Sequence, residues 1–219
     1  ARFGRACHGG AVPGQSRDSR HAGMPLVVIG INHRTAPVEI REKMVFAGEE
    51  LPAALRELAG QPGVREALIV STCNRTELYC FADAGGEAPD GVVMGPAPVL
   101  DPSLPLSDWL AHWHDLAAHR LDIDRTLYRL HGSAAVQHLF AVACGLDSLV
   151  IGEPQILGQL KDAYRAAHEQ KVTGPYLNGV MQTAFSVAKR VRTQTRIGAN
   201  AVSVAYAAVS LARTVFEKF

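Results

Sequence analysis

One cysteine stands out by its neighbours, in the run Ser71-Thr72-Cys73-Asn74-Arg75-Thr76-Glu77-Leu78-Tyr79. The thiolate is the nucleophilic form of cysteine, a nearby cation favours it, and it attacks acyl carbonyls readily. Arg75 supplies such a cation, and its planar fork suits a carboxylate. Composition alone favours a plainer reading, a half-buried structural cysteine. A second dense stretch is Gly145-Leu146-Asp147-Ser148-Leu149-Val150-Ile151-Gly152-Glu153-Pro154-Gln155-Ile156-Leu157-Gly158-Gln159. Gln155 and Gln159 lie four apart and share a helix face. With Glu153 they could line a polar pocket at a helix start, although a capped helix with a solvated polar face accounts better for that spacing alone.

The elements that must hold these groups follow from hydrophobic period. Leu26–Ile31 and Ala67–Thr72 are short β-branched runs that suit buried strands. Thr76–Phe81 alternates, with Leu78 and Cys80 on one side and Tyr79 and Phe81 on the other, so Cys73-Asn74-Arg75 becomes a tight connection in a hairpin. Val38–Phe46 and Glu49–Leu58 have helical spacing, with Leu51, Leu55 and Leu58 on one face, and Gly60–Gly63 stops the second. The Gly- and Pro-rich stretch 82–105 reads as a loop. Ser107 caps a helix to about Leu121, and Thr126–Leu130 is a fourth strand. The order βαββαβ gives an α+β fold: a ferredoxin-like half with an antiparallel sheet, followed by a helical half. In that second half Ser133 caps a helix that Gly145 stops, and Pro154 opens another. Leu177, Val180, Met181, Ala184, Val187, Ala188 and Val191 mark the buried face of a third, and Asn200 caps a fourth.

Residues 1–23 stand apart. They are rich in Gly, Ser and Arg, have Asp18 as their only acid, and cannot bury a core, so a disordered tail is expected. Transit peptides share that bias, but the chain does not begin with Met and Met24 suits a natural start, which favours the plainer reading. Lys plus Arg number 22 against 21 acids, too even for a whole-chain field toward nucleic acid or membrane. Any RNA contact must come from a local patch. Lys189, Arg192 and Arg196, with Arg190 beside them, fall near one helix face that could meet phosphates or simply be solvated. Cys7, Cys73, Cys80 and Cys144 form no C-x-x-C pair or finger spacing, and no secretory signal is present, which suggests a reduced, cytoplasmic protein without a metal. No apolar run is long enough to span a bilayer. His33, His131 and the His112-Trp113-His114 cluster read as loop or surface residues without companion ligands.

Several blocks together resemble the catalytic domain of glutamyl-tRNA reductase. They are Gly30-Ile31-Asn32-His33-Arg34-Thr35-Ala36-Pro37-Val38, Ser71–Tyr79, Gly145–Gln159, Ser186-Val187-Ala188-Lys189-Arg190-Val191-Arg192-Thr193, Ile197-Gly198-Ala199 and Ala201-Val202-Ser203-Val204-Ala205. The resemblance covers roughly residues 24–219. It implies a catalytic domain over 24–200 and, over 201–219, a helix leading to an NADPH-binding domain that this chain lacks. No G-x-G-x-x-G fingerprint follows a strand here. The resemblance also implies that Cys73 attacks the glutamyl ester of tRNA(Glu), and that NADPH reduces the resulting thioester to glutamate-1-semialdehyde for tetrapyrrole biosynthesis. Thr72, Asn74 and Arg75 would surround the glutamyl group with Cys73, and Ser148, Glu153, Pro154, Gln155 and Gln159 match the family's other substrate-contacting positions. His138 is singled out as a residue that supports activity. It could protonate a leaving ribose oxygen, or be a core histidine at the margin of the Ala135, Leu139, Val142 face. Full-length members form homodimers, and glutamate-1-semialdehyde aminotransferase is a candidate partner. Two alternatives stay open: an esterase releasing glutamate from charged tRNA, and a non-catalytic tRNA-binding module.

Overall fold

The computed structural model describes residues 26–82 and 103–197, and Ala212. The expectations for the tail 1–23, Cys7, most of the loop after residue 82, the Asn200 helix and the boundary at 200 lie outside the described residues. The β-branched runs form strands β1 (Leu26–Asn32), β2 (Val64–Ser71), β3 (Arg75–Ala82) and β4 (Tyr128–His131). They make one four-stranded sheet in the order β2-β3-β1-β4. Every neighbouring pair is antiparallel. This is the βαββαβ arrangement expected from the order of elements. Every residue of β3 is buried, so both faces of the sheet are covered.

Helices α1 (Val38–Lys43), α2 (Leu51–Ala59) and α3 (Ser103–Trp113) precede or follow the hairpin. Leu55 and Leu58 of α2 are fully buried, while Leu51 is only partly covered. Gly60 ends α2, as its position suggests. The helix expected from Ser107 to about Leu121 is instead broken. Ser107 lies inside α3 and bonds back to the Leu104 carbonyl at 2.8 Å rather than capping. Asp115 adopts φ 53°, a left-handed conformation that no helix continues through. A 3₁₀ turn (Ala117–His119) and α4 (Arg120–Thr126) follow, so β4 starts two residues later than the periodicity suggests. His114 is also more enclosed than expected. Its ring meets Phe46 edge-on at 4.6 Å, and burial pushes its pKa down to about 4.

The helical half contains α5 (Gly132–Cys144), α6 (Gln155–Glu169) and α7 (Pro175–Gln194). These three pack on one another, and on β1 and β2. His131 rather than Ser133 is the residue before α5, and Gly145 closes that helix with φ 75°. Leu177, Met181, Ala184 and Ala188 are the fully buried stripe of α7, flanked by Val180, Val187 and Val191. No side chain of the residue preceding α7 caps it. The cap comes from β2: Glu66 accepts hydrogen bonds from the Tyr176 and Leu177 amides at 3.1 and 2.6 Å. Gly30 of β1 lies opposite Glu77 of β3, and a Cβ on it would approach the Thr76 carbonyl oxygen to 2.3 Å. Glycine there lets β1 and β3 close around the side chains of the site. No helix among the described residues is long and apolar enough to cross a membrane.

Candidate active site

Cys73 sits at the tip of the β2–β3 hairpin and is exposed, with its thiol free. Thr72 shapes the turn. Its amide donates to the Arg75 carbonyl at 2.8 Å, and its Oγ1 accepts from the Asn74 and Arg75 amides at 3.2 and 3.1 Å. A hydroxyl in this position satisfies the turn's own donors, which is why Thr suits it. Two neighbours brace the outside. The His33 amide donates to the Asn74 carbonyl at 3.0 Å, and Arg41 Nη1 donates to the Cys73 carbonyl at 2.6 Å and to Asn74 Oδ1 at 3.2 Å.

The turn opens onto a cleft lined by Thr72, Cys73, Asn74, Arg75, Ser148, Leu149, Glu153, Gln155, Ile156 and Gln159. Its far wall is the loop between α5 and α6. Gly145 and Gly152 both take left-handed backbone, at φ 75° and 80°, and the Gly152 amide closes onto the Gly145 carbonyl at 2.8 Å. Arg192 of α7 donates to the Glu153 carbonyl at 2.8 Å, so this arginine of the basic stretch turns inward to pin the loop. Lys189, Arg190 and Arg196 stay exposed.

Beneath the cleft lies a buried charge network. Arg75 is only 2% exposed, and both prongs of its fork are held by carboxylates of the protein itself. Nη1 pairs with Glu77 Oε1 at 2.7 Å. Nη2 pairs with Asp147 Oδ2 at 3.1 Å and also donates to the Asp147 carbonyl. Glu77 is fully buried and accepts from Tyr79 Oη at 2.6 Å, from Tyr128 Oη, and from His138 Nε2 at 2.9 Å. Burial by itself would raise the Glu77 pKa; the Arg75 charge, aided by His138 and Tyr128, overcomes it and holds the carboxyl at about 2. Burial, then the Glu77 charge, pushes the Tyr79 and Tyr128 phenols upward. Burial also raises the Cys80 thiol to about 12, which suits a packed structural cysteine rather than a nucleophile.

The cleft thus gathers Thr72, Cys73, Asn74, Arg75, Ser148, Glu153, Gln155 and Gln159 from stretches far apart in sequence. Pro154 precedes α6 as its N-cap and does not line the cleft. His138, which the resemblance singles out as supporting activity, turns its Nε2 toward Glu77 at 2.9 Å and is not among the residues that line the cleft. Sequence reasoning misses Glu77 and Asp147 as site residues. Glu77 is legible in principle, because residues two apart on a strand share a face and Arg75, Glu77 and Tyr79 are so spaced. Asp147 has no such signal, since its contact with Arg75 spans 72 positions.

Residues 29–195 match the family described as glutamyl-tRNAGlu reductase, N-terminal domain. The chain belongs to this family. Glutamyl-tRNA reductase of Pseudoalteromonas translucida is 48% identical over 195 residues, which cover 89% of this chain and 42% of that protein. The Marinobacter nauticus enzyme is 50% identical over 193 residues, covering 88% of this chain and 41% of its own length. The chain therefore spans about two fifths of the curated relatives it matches. The solved glutamyl-tRNA reductase of Methanopyrus kandleri superposes with a TM-score of 0.59 at 31% identity, covering 86% of this chain and 39% of that one. The antiparallel sheet among the described residues has no parallel βαβ crevice, so these residues do not fit a nicotinamide dinucleotide.

Proposed function

We propose that this chain performs the acyl-transfer half of a glutamyl-tRNA reductase. The carrying observation is the exposed Cys73 at the mouth of a cleft lined by Thr72, Asn74, Arg75, Ser148, Glu153, Gln155 and Gln159. The Cys73 thiolate attacks the carbonyl carbon of the glutamyl ester on tRNA(Glu). The C–O bond to the terminal ribose breaks, its electron pair leaves on the ribose oxygen, and that oxygen takes a proton. The product is a glutamyl thioester on Cys73, a better hydride acceptor than the ester it replaces. In the full-length relatives the reductase name implies NADPH as the reductant and glutamate-1-semialdehyde, a tetrapyrrole precursor, as the product. No step of that reduction is assigned to this chain's residues.

Within the cleft, Ser148, Gln155 and Gln159 offer neutral donors and acceptors to the substrate's amino and carboxylate groups. Arg75 lines the cleft with its fork held by Glu77 and Asp147, so a substrate carboxylate that meets it competes with those acids. His138 acts through Glu77 and Arg75 as a positioning residue. Cys73→Ser should abolish the acyl-enzyme, seen as a missing one-glutamyl mass shift after acid quench with glutamyl-tRNA, while circular dichroism stays native. Undiminished trapping in that variant would refute the assignment.

A further inference from the structure

The cleft does not account for every group at the Cys73 turn. His33 and Arg34 leave the end of β1, and Arg41 comes from α1. None of the three lines the glutamyl cleft. All lie against the Cys73 turn or its network: His33 through the Asn74 carbonyl, Arg41 through the Cys73 carbonyl, and Arg34 through Asp147 Oδ1 at 3.0 Å. Arg34 is 59% exposed. Among the described residues Arg41 has no carboxylate partner, and neither its Nε nor His33 Nδ1 has a hydrogen-bond partner. Buried polar atoms are nearly always paired, and these two lie on residues that contact the exposed turn. The local field is positive. Burial and then the Arg34 charge lower the His33 pKa, against a raising effect of Asp147, with Arg75 and Arg41 adding to the fall.

We infer that Arg34 and Arg41, with His33 nearby, form a phosphate-binding rim for the 3′-terminal nucleotides of the RNA whose ester Cys73 attacks. This rests on the proposed acyl transfer. In that reaction the acyl group lies in the cleft and the leaving ribose lies outside it, next to the Cys73 turn that Arg41 and His33 contact. The ribose carries its phosphodiester outward, and guanidinium forks are the side chains best matched to phosphate oxygens. The phosphate contact thereby falls beside the nucleophile, and not on the exposed Lys189 and Arg196 of α7.

The test needs no aminoacyl group. Binding of a fluorescent single-stranded RNA oligonucleotide ending in CCA is measured by anisotropy across a salt series. Removing one phosphate-binding charge should flatten the slope of log K against log salt by about 0.7. Arg34→Gln/Arg41→Gln should flatten it by about 1.4, and Arg34→Gln alone by about half that. Arg34→Lys, which keeps the charge, should restore the slope. Lys189→Gln/Arg196→Gln should leave it unchanged. An unchanged slope in both Arg34→Gln variants, or a slope carried instead by Lys189 and Arg196, would overturn the rim. Thioester trapping on Cys73 with a small glutamyl ester lacking phosphate reports the acyl-transfer reading separately: its failure with the rim slope intact would sink that reading alone, and its success with a flat response at Arg34 and Arg41 would sink the rim alone.

Discussion

Glu77 is the residue on which the site's electrostatics turn. A carboxylate this deep is stable only because Arg75, His138, Tyr79 and Tyr128 all face it. Glu77→Gln keeps the shape but leaves Arg75 short of a buried counter-charge, which should cost about 3–5 kcal/mol in urea unfolding. The same group predicts a pH dependence. Its folded-state pKa, about 2, lies below its ordinary value of 4.5, so its contribution is complete above about 4.5 and is lost as pH falls toward about 2. An acid titration in which wild type and Glu77→Gln lose stability in parallel through that window would contradict the assignment. Arg75 offers a second test. Lysine keeps the charge but cannot span Glu77 and Asp147 with two prongs, so Arg75→Lys should narrow the preference for glutamyl- over glutaminyl-tRNA by on the order of 1–3 kcal/mol. Equal discrimination by both proteins would show that Arg75 does not read the side chain. The thiol, its turn and the arginine were all legible from one run of nine residues. Which acids occupy the arginine was not, because one answer lies across the fold at Asp147.

At the scale of elements, the four strands could be read from short apolar runs and alternation, the hairpin from the position of Cys73-Asn74-Arg75, and the ferredoxin-like class from the order βαββαβ. The break between α3 and α4 could not, because the turn at Asp115 uses a residue without glycine's signature. The cap of α7 was equally hidden, since its acceptor comes from β2, at a point where the β2–β3 register shifts between Val64 and Glu66. Glu66→Ala should lower stability by about 1–2 kcal/mol through the lost amide acceptors. The rate of Cys73 acylation well below the melting temperature should be unaffected. Gly145→Ala separates the two quantities the other way. An added Cβ is strained at φ 75° and would stand 3.2 Å from both the Glu153 carbonyl oxygen and the Gly152 Cα. The strain itself is of order 1–2 kcal/mol, but the displaced loop carries Ser148 and Glu153. Acylation should therefore fall by more than the stability loss explains, as single-turnover trapping beside thermal melts would show. Wild-type acylation by a folded Gly145→Ala protein would argue that the loop wall takes no part.

For the whole molecule, the question is what a chain spanning about two fifths of its relatives does by itself. Attack requires the thiol, the cleft and a bound RNA end, and every group proposed for these lies within residues 33–159. Reduction requires a nicotinamide held against the thioester carbon, which is the work of a dinucleotide-binding fold, and the described residues contain none. NADPH added in solution would have to find that geometry by collision and would forfeit an orientation advantage of several kcal/mol. The expected outcome is that this chain releases free glutamate from glutamyl-tRNA and makes no glutamate-1-semialdehyde, even with ample NADPH. The chemistry of release is hydrolysis: water adds to the thioester carbonyl, the C–S bond breaks, and Cys73 regains its proton. Cys73 is exposed, so water has access to the acyl group. Product analysis with and without NADPH checks both halves of the prediction. Glutamate release that persists in Cys73→Ser would detach the esterase activity from the thiol. Semialdehyde formed by this chain alone would place a hydride-delivery site among residues that show no dinucleotide fold, and would overturn the division of labour between this domain and the rest of its relatives' length.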